Sequence, residues 1–177
     1  MWLFSSSILY CCVIFLQVTG QQLKARCVVF SSAPFRRGVM ALPMGVIDFT
    51  QDNLFSSAVQ INGTLRFLLP GQHGFHVHKT GDYSDGCTAS SSHFNPSNVN
   101  HNQHVGDLPN IEAGFNGVAN INLRDDQIRL SGPNSIIGRT LVVHQKADDM
   151  GRGGDEESLK TGNAGARVGC GVIGLLS

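Results

Sequence analysis

Short runs of alternating or β-branched residues, each cut off by glycine or a polar turn, restrict this chain to an all-β fold. The runs are Arg26 to Phe30, Gly45 to Thr50, Val59 to Leu69, Gly74 to His78, Gly117 to Leu123, Gln127 to Ser131, Arg139 to His144 and Arg167 to Leu175. No stretch between them has convincing helical spacing. From Asn120 to Gly132, Ile121 and Leu123 alternate with polar residues, Asp125-Asp126 supplies a turn, and Ile128 and Leu130 alternate again, which predicts a hairpin. Eight short strands predict an antiparallel sandwich or barrel. Two polar, Gly/Asn/Asp-rich stretches, Lys79 to Gly114 and Gln145 to Gly165, are far longer than turns. Loops of that length in a compact domain usually carry function.

The chain has 177 residues, 41% hydrophobic and 15% charged, which is enough for one domain with a real core and excludes disorder. Thirteen basic and thirteen acidic residues leave no net charge, so the bulk positive field that nucleic-acid binding needs is missing and no nucleic-acid partner is expected. The 21 glycines follow no Gly-X-Y period and read as turns.

The first twenty residues form a separate segment. Ile8 to Val18 is an apolar run of 11 residues, too short to span a bilayer, and Val18-Thr19-Gly20 followed by Gln21-Gln22 resembles a signal-peptide exit. The expected division is a secretory signal at 1–20 and a mature domain at 21–177, without a stable membrane span in the mature form. Cys11 and Cys12 leave with the signal, and the mature chain keeps Cys27, Cys87 and Cys170, room for one internal bridge. Cys27 sits in the strand-like RCVVF, where a thiol acts as a small hydrophobe. Cys87, in a Gly/Ser/Asp loop, is the better partner for Cys170, and such a bridge needs an oxidising compartment. The sequon Asn62-Gly63-Thr64 is a candidate glycosylation site and agrees with secretion.

The chemistry lies in the histidines. All seven fall between positions 73 and 144, and six occupy the 32 residues from 73 to 104, against about 1.3 expected at the chain-average rate. His76 and His78 are two apart in GFHVH, so on a strand both rings leave one face while Phe75 and Val77 leave the other. Two such ligands are half of a copper or zinc site, and His144, ending TLVVH, can complete it if the strands are neighbours. A second group, His93, His101, His104 and Asp107, lies in one loop and suits a closed tetrahedral zinc site.

Together HGFHVH, GDYSDGCTAS, HFNP, HVGDL, GRTLVVHQKADD and GNAGARVGCGVIG resemble the copper/zinc superoxide dismutases of the secreted, extracellular type, in order and over Lys24 to Ser177. The resemblance implies a flattened eight-stranded Greek-key barrel with two functional loops, and dismutation of superoxide by copper redox cycling. It implies copper ligation by His76, His78, His93 and His144, with His93 bridging to a zinc site completed by His101, His104 and Asp107. His73 would pack behind the copper, Asp148 would orient His76 and His101, and Cys87 and Cys170 would form the intrasubunit disulfide. Arg167 would receive the anion at the end of a channel that focuses it, His93 would carry a proton to the product, and Lys160 with Thr161 would form the channel rim. Arg152 and Arg167 are better guides to the channel than the mixed charge run at 155–157.

Three departures from the family pattern stand out. His101 and His104 are only three apart, a shorter spacing than usual, and HNQH could set both rings on one side of a helical turn. Thr80 replaces a customary apolar residue beside Gly81, although Gly81, Gly138, Val172 and Leu175 still offer a homodimer patch. Ser31 to Met44 is longer than the usual first turn and carries Arg36-Arg37 at its tip. The rival reading is a secreted copper- and zinc-binding carrier of the same fold without turnover. A copper-delivery domain is a weaker rival, because no CxC or CxxC follows Gly20.

Overall fold

In a computed structural model of the chain, which describes residues 22–32, 41–52 and 58–177, the alternation of β1 (Leu23–Ser31) is a burial pattern. Ala25, Cys27 and Val29 enter the core, and Lys24, Arg26 and Val28 face out. β2 (Pro43–Gln51) sends in Met44, Ile47 and Phe49, and β3 (Val59–Leu65) sends in Val59, Ile61 and Leu65. The expected signal segment at 1–20 and the Arg36-Arg37 tip lie outside the described residues.

Five strands complete the sheet: β4 (Gly71–His78), β6 (Asp107–Ala113), β7 (Ala119–Asp125), β8 (Thr140–His144) and β9 (Arg167–Leu175). A short β5 (Ser84–Cys87) lies outside that order. The antiparallel order is β6-β4-β8-β9-β1-β2-β3-β7, and the turn at 114–118 joins the two ends into a nearly closed Greek-key barrel. Helix among the described residues is limited to one turn, α1 (Ser158–Thr161), and a 3-10 turn at Thr88–Ser90.

The eight strands are not quite the eight expected from sequence. Gln127 to Ser131 is no strand and there is no hairpin, because Asp125 Oδ1 accepts from the Gln127 and Ile128 amides and turns the chain. β7 pairs with β3 instead, while Ile128 and Leu130 are buried as a coil segment, so their alternation reported burial and not strand pairing. In exchange, Asp107–Ala113, inside the expected first loop, is β6. Pro109 and Asn110 obscure it in the sequence, and proline is tolerated there because β6 ends the sheet order.

β4 and β8 differ from the rest in being buried on both faces from His73 to His78 and from Thr140 to His144. Phe75, Val77, Leu141 and Val143 face the core, and the outer face lies beneath the two long loops. Phe67, just after β3, carries an aromatic side chain at φ 66° while 75% exposed, so packing does not offset the left-handed backbone. That conformation costs a non-glycine residue about 1–2 kcal/mol. Phe67→Gly is therefore expected to raise the thermal midpoint by about 2–4 °C in a domain of this size. Phe67→Ala, which keeps the strain, is not, and calorimetry of the two variants separates the cases.

Candidate metal centre

His76 and His78 leave the outer face of β4, and β8 lies antiparallel beside it with Phe75 opposite Val143, ending at His144. The first loop returns His93 to an isolated bridge with His78. His101 and His104 sit in the turns that lead into β6, which begins at Asp107. One ligand atom from each of His76, His78, His93 and His144 lies within 4.8 Å of the others, and the same holds for His93, His101, His104 and Asp107. His93 belongs to both groups, and all six of these histidines are buried. The 101–104 segment is not a helical turn. Asn102 takes φ 71°, and Asp107 Oδ2 accepts from the Asn102 and His104 amides, which brings both rings onto one carboxylate.

The hydrogen bonds fix which ring nitrogen is bare. His78 Nδ1 donates to the Ser91 carbonyl at 2.8 Å and His144 Nδ1 to the Gly165 carbonyl at 3.0 Å. Burial, more than any neighbouring charge, pushes His78 well below its ordinary pKa and His144 down to about 3, so both rings are neutral. Their Nε2 atoms, 3.4 Å apart, therefore meet lone pair to lone pair, an arrangement that a cation between them relieves. His76 Nε2 donates to Asp148 Oδ2 at 2.8 Å and leaves its buried Nδ1 without a partner.

The second group repeats the pattern. His104 Nε2 lies 3.1 Å from the Val99 carbonyl, and its Nδ1 lies 3.1 Å from Asp107 Oδ1. His101 Nδ1 is 3.1 Å from Asp107 Oδ2 but makes no hydrogen bond there, while its Nε2 donates to Asp148 at 2.7 Å. His93 Nδ1 faces Asp107 Oδ1 at 2.8 Å. Nitrogen and carboxylate donors with bare lone pairs aimed at shared points fit borderline dications such as copper and zinc.

Charge follows the same geometry. Burial lowers His93 to about 4, against the upward pull of Asp107. Burial also pushes His101 down, but Asp107 and Asp148 outweigh it and raise the residue to about 9. Burial opposes ionisation of both carboxylates, yet their histidine partners hold Asp107 and Asp148 well below the usual carboxylate range. A proton on His101 thus competes with a metal ion, and binding must expel it.

Close packing leaves two glycines no substitute. A Cβ on Gly74 would stand 2.8 Å from Ala164 Cβ and 3.1 Å from His76 Cε1, and one on Gly162 would overlap Asp148 Oδ1. His73, behind the first group, bridges the Leu69 and His144 carbonyls through Nε2 and Nδ1 at 2.8 and 2.7 Å.

A cavity of about 610 Å³ opens over the first group and reaches Arg167, Lys146, Lys160, Thr161 and Glu157. Arg167 donates through Nη1 to the Cys87 carbonyl at 2.7 Å and the Thr88 carbonyl at 3.0 Å, and through Nη2 to Ser91 O. Cys87 and Cys170 form a disulfide with Cα atoms 5.7 Å apart, and Cys27 is free and buried. Lys160 is tied to Glu156 at 2.6 Å and Thr161 to Glu157 at 2.7 Å, both on the cavity side, whereas Arg152 is not in the lining. Gly81 and Gly138 touch, with Val172 beside them. Leu175 lies farther along β9, and Val172 and Leu175 are exposed. Asn62 is exposed on β3.

Sequence reasoning missed the acceptors that set the tautomers, the carbonyls of Ser91, Val99 and Gly165, because a backbone carbonyl leaves no signature in a sequence. It also missed Asn110, whose side chain donates to the Asp148 carbonyl at 2.8 Å and accepts from the Asp148 amide at 2.9 Å. Its place in a stretch read as loop concealed that role.

Residues 44–173 match the family described as copper/zinc superoxide dismutase. The chain is 48% identical over 159 residues to superoxide dismutase [Cu-Zn] A of Xenopus laevis, covering 86% of this chain and 98% of that protein. It is 49% identical over 140 residues to superoxide dismutase [Cu-Zn] of Onchocerca volvulus, covering 74% and 88% respectively. With extracellular superoxide dismutase [Cu-Zn] of Brugia pahangi the identity is 51% over 140 residues, covering 74% and 69%.

Two predictions follow from the tautomers and charges. Asp148→Asn sets an amide where two imidazole N–H groups need acceptors, and metal affinity should fall about 10–100-fold, read by competition with a chelator. In the metal-free protein, His93 and His144 titrate near 4 and 3 when folded but near 6.5 when unfolded. The unfolded chain therefore binds more protons across that window, and the thermal midpoint should fall as pH goes from 6.5 toward 4. His101 acts in the other direction, with stabilisation complete below 6.5 and lost as pH rises through about 9.

Proposed function

The chain belongs to the copper/zinc superoxide dismutase family, and from that membership we propose how its residues divide the work. The reaction is the dismutation of superoxide to dioxygen and hydrogen peroxide, and the cofactors are copper and zinc. Bound copper supplies the one-electron redox chemistry, and bound zinc a fixed charge that does not change oxidation state.

His76 Nδ1, His78 Nε2, His144 Nε2 and His93 would hold the copper. His101, His104, Asp107 and the opposite nitrogen of His93 would hold the zinc and pin the first loop to the barrel. Asp148 would keep His76 and His101 in orientation by accepting from both rings, and His73 would brace His144 from behind. Arg167 would receive the superoxide anion at the floor of the cavity. The loop carbonyls leave its guanidinium little freedom, so its charge is already in place when the anion arrives. His93 would carry a proton at Nε2 to the product. Lys160 and Thr161 would form the rim, with Lys160 screened in part by Glu156.

The observation that carries this reading is the pair of bare Nε2 atoms on His78 and His144, 3.4 Å apart and within reach of Arg167's cavity. The metal-loaded protein is expected to dismute superoxide. Arg167→Ala should keep its copper yet lose about tenfold or more in rate at low ionic strength, where steering is strongest, and His144→Ala should lose copper. A protein that binds both metals stoichiometrically and leaves superoxide untouched would establish the carrier reading instead.

The first twenty residues would direct secretion and be removed after Gly20. An oxidising exterior suits the Cys87–Cys170 bridge, and one relative is named as extracellular. Asn62 would be open to glycosylation there. Gly81, Gly138, Val172 and Leu175 would form the homodimer contact, supported by the exposure of the two apolar side chains.

A further inference from the structure

The end of the barrel where β3 passes to β4 and β6 to β7 is built from turns that bind one another. The Leu68 amide donates to the Gly117 carbonyl at 3.2 Å, Gly71 pairs with Ala113, and the Arg66 amide donates to the Met44 carbonyl at 2.9 Å. Leu68 is buried and closes the core. The residues on either side of it do the opposite, for Phe67 is 75% and Leu69 67% exposed. Phe115, on the facing turn, is fully exposed, and Leu42, on the adjoining connection, is 63% exposed. Isolated exposed apolar residues are ordinary, but four of this size on one end of a barrel are not. Phe67 also holds a left-handed backbone that its packing does not repay, which points to a use for the projecting ring.

We propose that this end is a lipid-docking tip, with Phe67, Leu69, Phe115 and Leu42 entering the interfacial layer of a phospholipid bilayer and Arg66 meeting its headgroup phosphates. Charge favours that occupant. The sequence has no Asp or Glu from 53 to 81 or from 113 to 124, so the tip turns carry no carboxylate, and Glu112 opposite Gln72 is the first one back along the strands. Arg66 is exposed and has no ion pair among the described residues. Shape favours it too. Four separate side chains projecting from three turns would need a rigid protein partner to match each knob, whereas headgroups and acyl chains fill in around them. Aromatic and aliphatic side chains beside a cation are the composition of an interfacial anchor, and anionic lipid strengthens such binding.

The test is co-sedimentation of the purified metal-loaded protein with vesicles of phosphatidylcholine alone and of an equal mixture with phosphatidylserine. The protein should pellet with both and more with the mixture. Phe67→Gly combined with Phe115→Ser should weaken binding about tenfold or more while dismutation is kept and the thermal midpoint does not fall, because neither ring packs in the core. Arg66→Gln should remove only the preference for phosphatidylserine, and Val46→Thr, on the outer face of β2, should change nothing. Absence of binding to both vesicles, or binding indifferent to the double substitution, overturns the proposal. So does concentration-dependent self-association abolished by the same double substitution, which would assign the tip to a second copy of the chain.

Discussion

Asp148 holds two imidazoles from different segments at once, and the relative position of the two histidine groups depends on it. Its oxygens accept from His76 on β4 at 2.8 Å and from His101 in the first loop at 2.7 and 2.8 Å, and Oδ1 also takes the Met150 amide at 2.7 Å. A buried carboxylate without such partners would be several kcal/mol unfavourable, so the arrangement forms together or not at all. Asn110 clips the Asp148 backbone to β6 in both directions, which makes an edge strand the reference for the second loop as well as the first. Gly162 leaves the space in which the carboxylate sits.

The two-sided burial of β4 and β8 follows from this. Over β1, β2 and β3 the barrel is an ordinary one-faced sheet with alternation that reads directly from the sequence. On β4 the outward positions hold His76 and His78, whose rings would be wet without the two loops above them. Covering them removes water, lowers the affinity of His78 for protons and leaves its bare Nε2 facing that of His144. Bare lone pairs held that close are unfavourable until a cation lies between them.

Much of this was legible in the sequence, and the failures share a cause. The period-two spacing of His76 and His78 and the histidine density marked the site, and the barrel followed from alternation and turns. What sequence could not show is where an alternating segment spends its backbone. Gln127 to Ser131 alternates yet is turned by Asp125, and Asp107 to Ala113 pairs as a strand although Pro109 and Asn110 look like a turn. The short spacing of His101 and His104 is compatible with a helical turn, and nothing in HNQH announces that Asp107 will collect two amides and organise a different turn.

The same logic ties Arg167 to the first histidine group. The Ser91 carbonyl accepts from His78 Nδ1 and from the Arg167 guanidinium, so one backbone oxygen, on a residue with φ 68°, sets the tautomer of His78 and the position of the Arg167 charge. That oxygen is held by the segment that begins at Cys87, and the disulfide ties this segment to Cys170, three residues beyond Arg167 on β9. Closing a loop with a sequence separation of 83 is worth about 4.5 kcal/mol in the chain-entropy view. Its local consequence here is more specific, because it prevents the acceptors of Arg167 and His78 from moving apart. A chain with no net charge can draw a small anion only through local segregation of charge, and a cation on a free side chain would supply little of it. Fixing Arg167 to the same carbonyl as His78 makes the arginine part of a preorganised cavity.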